Sequence, residues 1–485
     1  MSDGSPAGGE PNARPPLTPI RFGTSGWRAR IAGDFTFANV RRLTAAIAEH
    51  LVESGEAGRG VVVGYDTRFL SEDFAATAAG TLAAYGVRSL LSVRDVPTPV
   101  VAHAVRERAA AAGITITASH NPAPDNGIKL TGPTGAPALP EVTKAIEARV
   151  ARLSHGKAIS LDEARTRGLT QDADFAPAYL AHCRKMVDLD VLGRARLRLV
   201  VDVMHGPARG YLDHLLREAG ADVTLLHGER DVTFGGHPPE PAEEHLGPLI
   251  AAVREQGAHL GLATDGDADR FGIVDRDGAV IPPNPILALV LRHLLRHRKW
   301  RGGVARSVAT THLLDALAAA YGCPLHETPV GFKYVGELIT QGAAIFGGEE
   351  SGGMSLKDHP PEKDGILAGL LVAELTAVEG VSLGALLERL YGEVGRLLSI
   401  RINVPLSEAV RRALPERIAT PPPSLGGARV LRVQTTDGLK LFFDGGGWVL
   451  VRPSGTEPVA RLYVEAPDDA TLGRLRDAAL GYFFR

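Results

Sequence analysis

Gly113-Ile114-Thr115-Ile116-Thr117-Ala118-Ser119-His120-Asn121-Pro122 carries an apolar run straight into a hydroxyl-bearing loop. Residues 113–117 have the character of a buried strand, and Asn121-Pro122 is a turn signal. Strand ends are where α/β domains display reacting groups. The flanking sequence agrees with that class. Helical periodicity over residues 39–52 precedes the apolar strand Gly60-Val61-Val62-Val63-Gly64-Tyr65. A helix over 72–85, a strand over 87–93 and a helix over 98–109 follow. Such alternation predicts a parallel-type sheet covered by helices. A serine before Asn-Pro is often only a turn residue, so its meaning depends on three further loops.

The first of these is Asp265-Gly266-Asp267-Ala268-Asp269-Arg270, after the apolar run Leu260-Gly261-Leu262-Ala263. Small spacers let the backbone curl so that the carboxylates of Asp265, Asp267 and Asp269 converge. Carboxylates that close repel one another, so a cation is expected between them, and oxygen-only ligation suits Mg²⁺ or another hard ion. A calcium EF-hand loop is excluded, because it needs Gly at its sixth position and Glu at its twelfth. Those places hold Arg270 and Arg276. The next loop is Gly347-Gly348-Glu349-Glu350-Ser351-Gly352-Gly353, which by itself reads equally as a flexible turn or as a ligand loop whose glycines permit close approach and whose Glu349 and Ser351 suit sugar hydroxyls. The last is Arg452-Pro453-Ser454-Gly455-Thr456-Glu457-Pro458, after the strand-like Trp448-Val449-Leu450-Val451. Its arginine can fork onto a phosphate, with Ser454, Thr456 and the backbone at Gly455 completing an anion cradle; an ordinary Gly/Pro turn between two strands is the alternative reading.

The length of 485 residues allows three to four domains, and 44% hydrophobic residues supply real cores. A net charge of −3 argues against nucleic acid and anionic membrane as partners. Cys183 and Cys323 lie far apart and in no metal spacing, as in a reducing compartment. The apolar run Ile286–Leu295 is short and broken by Arg292 and His293, so no membrane span is expected. Residues 1–17 are rich in Gly, Pro and Ala without a signal-like apolar core, and read as a loose tail of a cytoplasmic protein. Nine lysines stand against forty-four arginines. Lysine, unlike arginine, is readily tuned to lose its proton. Lys129, Lys333 and Lys363 in Gly-rich neighbourhoods are therefore candidates for acid/base chemistry, although chance accounts for Lys363 equally well.

With the opening segment Phe22-Gly23-Thr24-Ser25-Gly26-Trp27-Arg28, the four loops resemble the α-D-phosphohexomutase family in kind and order, from about residue 20 to the end. The resemblance implies an α/β fold with the four-domain phosphohexomutase architecture. Three topologically similar mixed-sheet α/β domains and a smaller α+β C-terminal domain, rich in short strands, would surround a central cleft. The expected bounds are 18–190 for the phosphoserine loop, 191–283 for the metal loop, 284–397 for the sugar loop and 398–485 for the phosphate loop.

The resemblance also implies roles. Ser119 would carry a phosphoryl group, give it to a hexose phosphate and regain the other phosphate from a bound 1,6-bisphosphate. Asp265, Asp267 and Asp269, with a phosphoserine oxygen of Ser119, would hold Mg²⁺. Lys333 is expected as general acid/base with Lys129 as its partner. Arg28 and Arg270 would lie near the transferring phosphate. Arg452, Ser454, Gly455, Thr456 and Arg461 would grip the distal phosphate, with Arg306 a possible addition. His120 is adjacent to Ser119, and neighbours on an extended segment point apart, so it is expected to orient phosphate rather than act as a base. Glu349 and Ser351 would meet the sugar. Glu350 tilts the reading to phosphoglucomutase with glucose 1,6-bisphosphate as activator. Small Gly352-Gly353 would leave room for some mannose activity. The alternatives are a phosphomannomutase or dual-specificity mutase, a glucose 1,6-bisphosphate synthase, and an inactive sugar-phosphate-binding protein. A monomer or a homodimer is expected.

Overall fold

The structure, a computed structural model, describes residues 19–453 and 459–485. Four sheets follow one another along the chain. The first orders its strands Trp27–Arg30, Asp125–Thr131, Ala112–Ile116, Val61–Tyr65, Ser89–Ser92, Thr170–Ala173. The last four of these are parallel, whereas Asp125–Thr131 runs antiparallel to Ala112–Ile116. The second sheet places Arg198–Asp202 between the parallel strands Asp222–Leu226 and Leu260–Thr264, then adds antiparallel Phe271–Asp275 and Val280–Ile281. The third joins parallel Leu325–Thr328, Gly303–Ser307 and Ala344–Glu349 to antiparallel Gly353–Leu356. The sheets are thus mixed, because each parallel set ends in a hairpin. The fourth is six-stranded and antiparallel, and its Leu398–Pro405 and Val459–Ala466 are eight residues each, longer than the short strands expected there.

This topology shows how the sites are placed. In each of the first three sheets, a strand of the parallel set turns through a loop into its antiparallel neighbour. Those loops are the Ser119, Asp265 and Glu349 segments. The repetition is one of topology; sequence similarity between the three is not needed for it.

The strand Val61–Tyr65 is buried along its whole length, as its unbroken apolar run predicts. The helix Phe37–Glu53 starts at Thr36, whose hydroxyl accepts from the Asn39 N–H at 3.2 Å. The apolar run Ile286–Leu295 lies in the helix Pro283–Arg296, which is buried in the largest core. That core spans all three α/β units, with Val101, Leu199, Leu287 and Leu370 among its members. The C-terminal unit has a core of its own, around Leu441, Val449, Leu462 and Phe483. Among the described residues, no single helix is long and apolar enough to cross a membrane.

Candidate active site

Ser119 sits at the hairpin between Ala112–Ile116 and Asp125–Thr131 with φ of 54°, in the left-handed region that costs a non-glycine residue strain. Its N–H donates to Thr117 Oγ1 at 2.8 Å, and its hydroxyl donates to Asp265 Oδ2 at 2.9 Å. The turn also brings His120 Nδ1 to 3.4 Å from Ser119 Oγ, so the extended geometry expected to part these side chains is not the geometry adopted. Burial, then Arg270 and Arg28, pushes the His120 imidazole well down, and it stays neutral. Beneath the loop lies the buried Arg68. Its guanidinium donates to the carbonyls of Ser119 and Asn121, both at 2.6 Å, and to those of Pro122 at 2.9 Å and Asp125 at 3.0 Å. Asp66 holds it from behind at 3.1 Å.

The three aspartates meet at one point, with a carboxylate oxygen from each within 4.8 Å of the others. Gly266 is required here by close approach: a Cβ would lie 2.4 Å from the Ser119 carbonyl oxygen and 2.6 Å from Pro239 Cγ. Lys129 bridges Asp267 at 2.6 Å and Asp269 at 2.5 Å, while Lys363 reaches Asp269 at 2.8 Å. Thr98, at the start of the helix Thr98–Glu107, donates its hydroxyl to Asp267. Burial pushes the Asp265 carboxyl well up, and Asp269 and Asp267 add to the rise. Burial also works to raise Asp269, but Lys129 and Lys363 outweigh it and hold that carboxyl well down. Asp267 Oδ1 and Asp269 Oδ1 are buried and have no hydrogen-bond partner among the described residues. Two orphaned carboxylate oxygens beside a third aspartate and a serine hydroxyl fit a hard divalent cation.

Above this floor is a cavity of about 320 Å³. Arg28, His120, Asn121, Arg270, Glu349, Glu350, Ser351, Lys363, Arg401, Arg452, Arg461 and Tyr463 line it. Arg28 is fixed by donating to Asn121 Oδ1 at 2.7 Å, and Arg270 by its contact of 3.3 Å with Glu240. Burial, then Arg270, lowers the Arg28 guanidinium, which stays charged. Glu349 Oε1 accepts from the Gly331 N–H at 2.7 Å, and burial, then Glu350, pushes its carboxyl up to about 7. Arg452 is held by Asp437 at 2.9 Å. Ser454, Gly455 and Thr456 lie outside the described residues.

Three expectations are corrected. Lys333 is not in this cavity. The helix Phe332–Thr340 buries Phe332, Val335 and Ile339 on one stripe, which turns Lys333 toward a separate, largely apolar groove beside Leu130, Val142 and Ile146. The lysine in the cavity is Lys363, whose ammonium stands 5.7 Å from the Phe332 ring centre. Burial acts to lower it, but Asp269 and Glu362 dominate and hold it protonated. Arg306 does not join the cationic cluster, because Asp315 at 2.5 Å and Glu327 at 2.6 Å engage it. Gly353 leaves no room for a sugar: a Cβ there would fall 2.2 Å from Lys363 Cδ, so the lysine stem fills the space.

Arg68, Lys363, Arg401, Tyr463 and Asp437 were not assigned from the sequence. Only Lys363 carried a signal, as a rare lysine in an Arg-rich chain.

Four segments match the models of one family in order: the phosphoglucomutase/phosphomannomutase alpha/beta/alpha domains I (residues 19–157), II (177–278) and III (282–394), then its C-terminal domain (402–481). The chain belongs to the phosphoglucomutase/phosphomannomutase family. It is thereby a phosphohexomutase, an isomerase of the intramolecular phosphotransferase class, and the motif resemblance is borne out. The phosphohexomutase is 34% identical to a probable phosphoglucosamine mutase of Methanothermobacter thermautotrophicus, over 96% of this chain and 98% of the relative. It is 31% identical to a phosphoglucomutase of Komagataeibacter xylinus, over 92% and 87%. A solved structure of a putative phosphomannomutase from Thermus thermophilus superposes with a TM-score of 0.83 at 36% identity, covering 96% of this chain and 99% of that one. These relatives agree on the reaction class and differ in the sugar.

Proposed function

We propose that the protein is a phosphoglucomutase, interconverting α-D-glucose 1-phosphate and glucose 6-phosphate through a phosphorylated Ser119 and a bound 1,6-bisphosphate. The observation that carries this is the Ser119 hydroxyl 2.9 Å from Asp265, beside two orphaned aspartate oxygens and under a cavity lined by arginines. A phosphoserine and a sugar phosphate bring close to four negative charges, at about −2 each. Arg28, Arg270 and Lys363 face the transferring group, and Arg452, Arg461 and Arg401 receive the distal phosphate. Asp265, Asp267 and Asp269 would hold Mg²⁺, which supplies charge neutralisation to the transferring phosphoryl group when bound.

Lys363 takes the acid/base role first given to Lys333, because it reaches both the cavity and Asp269. Held protonated, it serves as the acid facing the sugar oxygen that loses phosphate. Lys129 keeps Asp267 and Asp269 paired and oriented. His120, neutral and adjacent to Ser119, orients the phosphate. Glu349 and Ser351 receive sugar hydroxyls.

Glu350 supports glucose as the sugar. A second reading, glucosamine 1-phosphate, is favoured by two carboxylates on the sugar side of the cavity, which suit an ammonium at C2. The test is a coupled assay with Mg²⁺ and a trace of glucose 1,6-bisphosphate, run on glucose, mannose and glucosamine 1-phosphates. Fast, bisphosphate-activated turnover led by the glucose compound is expected. A lead by glucosamine 1-phosphate overturns the sugar. Bisphosphate as the major free product overturns the mutase in favour of a synthase.

A further inference from the structure

One face of the C-terminal sheet does two jobs. Cross-strand pairing puts Arg452 opposite Arg461, Leu450 opposite Tyr463 and Lys440, and Trp448 opposite Glu465. Arg452, Arg461 and Tyr463 open onto the cavity. Lys440, Trp448 and Glu465 instead lie against residues 308–312 of the third unit, beside a small apolar cluster of Val308, Ala309, Trp448, Leu450 and Tyr463.

Lys440 is fully buried, a costly place for an ammonium. Its Nζ donates to the Val308 carbonyl at 2.7 Å and to His312 Nε2 at 3.0 Å, and stands 3.8 Å from the Trp448 ring centre. Burial, then Lys440 itself, pushes His312 down to about 2, so its ring is neutral and can accept. Glu465 adds a second tie, accepting from the His312 N–H at 3.0 Å and from Trp448 Nε1 at 2.8 Å.

The pinned segment leads directly to the sugar loop. Thr310 Oγ1 accepts from the Glu350 N–H at 3.2 Å and shares a hydrogen bond with Ser307 Oγ at 2.9 Å. Ser307 Oγ donates to Glu350 Oε2 at 3.3 Å. A parallel tie reaches Glu349. Asp437 of the C-terminal unit accepts from the Val330 N–H at 3.0 Å while it holds Arg452 at 2.9 Å. The next residue, Gly331, donates to Glu349.

We propose that Lys440 and Asp437 are positioning residues that set the Glu349 and Glu350 carboxylates only when the C-terminal domain is docked, so that the sugar is gripped together with its distal phosphate. This rests on the reading of residues 349–351 as the sugar-binding loop. The consequence is that the sugar grip of the third unit and the phosphate grip of the C-terminal sheet form a single latch, which releases as one when the bisphosphate must reorient.

The experiment compares Lys440→Met, Thr310→Val and their combination, using kcat and KM on glucose 1-phosphate and mannose 1-phosphate in the full-length enzyme. Methionine keeps the unbranched stem against Trp448 and removes the donor. Misplacement of this kind is expected to lower kcat/KM for glucose 1-phosphate about 10- to 100-fold, to change the glucose-to-mannose ratio, and to leave Thr310→Val little further effect in the combination. A loss of folded enzyme lowers both sugars equally and leaves the ratio untouched. In variants whose circular dichroism and melting match the parent's, values within twofold of the parent, an unchanged ratio, or fully additive effects overturn the proposal. If Lys440→Met does not fold, His312→Phe removes the acceptor while filling its space, and the same outcomes are read. Glu350→Gln separates the two levels. If it alters sugar kinetics while the latch variants do not, the latch is wrong. If it leaves all sugars unaffected, the sugar-loop reading fails and the latch with it.

Discussion

Arg68→Met tests whether the Ser119 loop is held from below. The guanidinium is fully buried and joins Asp66 to four carbonyls of the Ser119 loop. Methionine matches much of its stem but strands Asp66 in the interior and takes the guanidinium donors from the four carbonyls, of which Pro122 keeps only the Asp125 N–H at 3.0 Å. Removing one partner of a buried ion pair costs about 3–5 kcal/mol. That corresponds to opening of the local hairpin about 10²- to 4 × 10³-fold more often, at a decade per 1.4 kcal/mol. Hydrogen exchange of the amides in Ala112–Ile116 and Asp125–Thr131 reads this directly. Turnover is expected to collapse as well, because the left-handed turn at Ser119 loses the clamp that sustains it. Adding Asp66→Asn removes the stranded charge and should recover part of the exchange protection but not the turnover. Exchange within threefold of the parent together with unchanged kcat would refute the argument.

Further outcomes follow from the same geometry. Lys363→Met should lower kcat by about 10²-fold or more, whereas Lys333→Met, on its separate groove, should stay within twofold; steady-state kinetics reads both. Arg452→Met should raise KM for glucose 1-phosphate with a smaller effect on kcat, as loss of a phosphate fork predicts. Chelation of divalent ions should abolish turnover, and restored Mg²⁺ should recover it in the parent but not in Asp267→Asn. Glu349 has its folded value raised from 4.5 to about 7 by burial, then Glu350. Its contribution to stability is therefore complete below pH 4.5 and lost as pH rises through about 7. Glu349→Gln should flatten that part of the thermal-stability profile.

Much of the fold was legible because its signals are local. The unbroken Val61–Tyr65 run and the periodicity near residues 39–52 each report on neighbours in sequence. The Ser119 and aspartate loops were legible for the same reason: short polar motifs at the ends of apolar strands. What failed depends on direction and distance. Lys333 shares a loop neighbourhood with the site, but one step around a helix turns it away. Lys363 enters because Asp364 caps the helix Gly365–Glu379, fixing the residue just before it beside Asp269. Arg68 and Asp437 act on partners 51 and 107 residues away, a separation at which local pattern carries no information. The glycines of the Glu349 loop were read as space for ligand, and they are space for the Val335, Leu287 and Lys363 side chains and the Phe271 carbonyl.

The central claim is that Ser119 carries the phosphoryl group. Incubation with radiolabelled glucose 1,6-bisphosphate and Mg²⁺, followed by peptide mapping, tests it most directly. The account predicts one labelled phosphate on Ser119 that is discharged to added glucose 1-phosphate at the rate of turnover. Turnover with Ser119 unlabelled, or with the label on another residue, would contradict it.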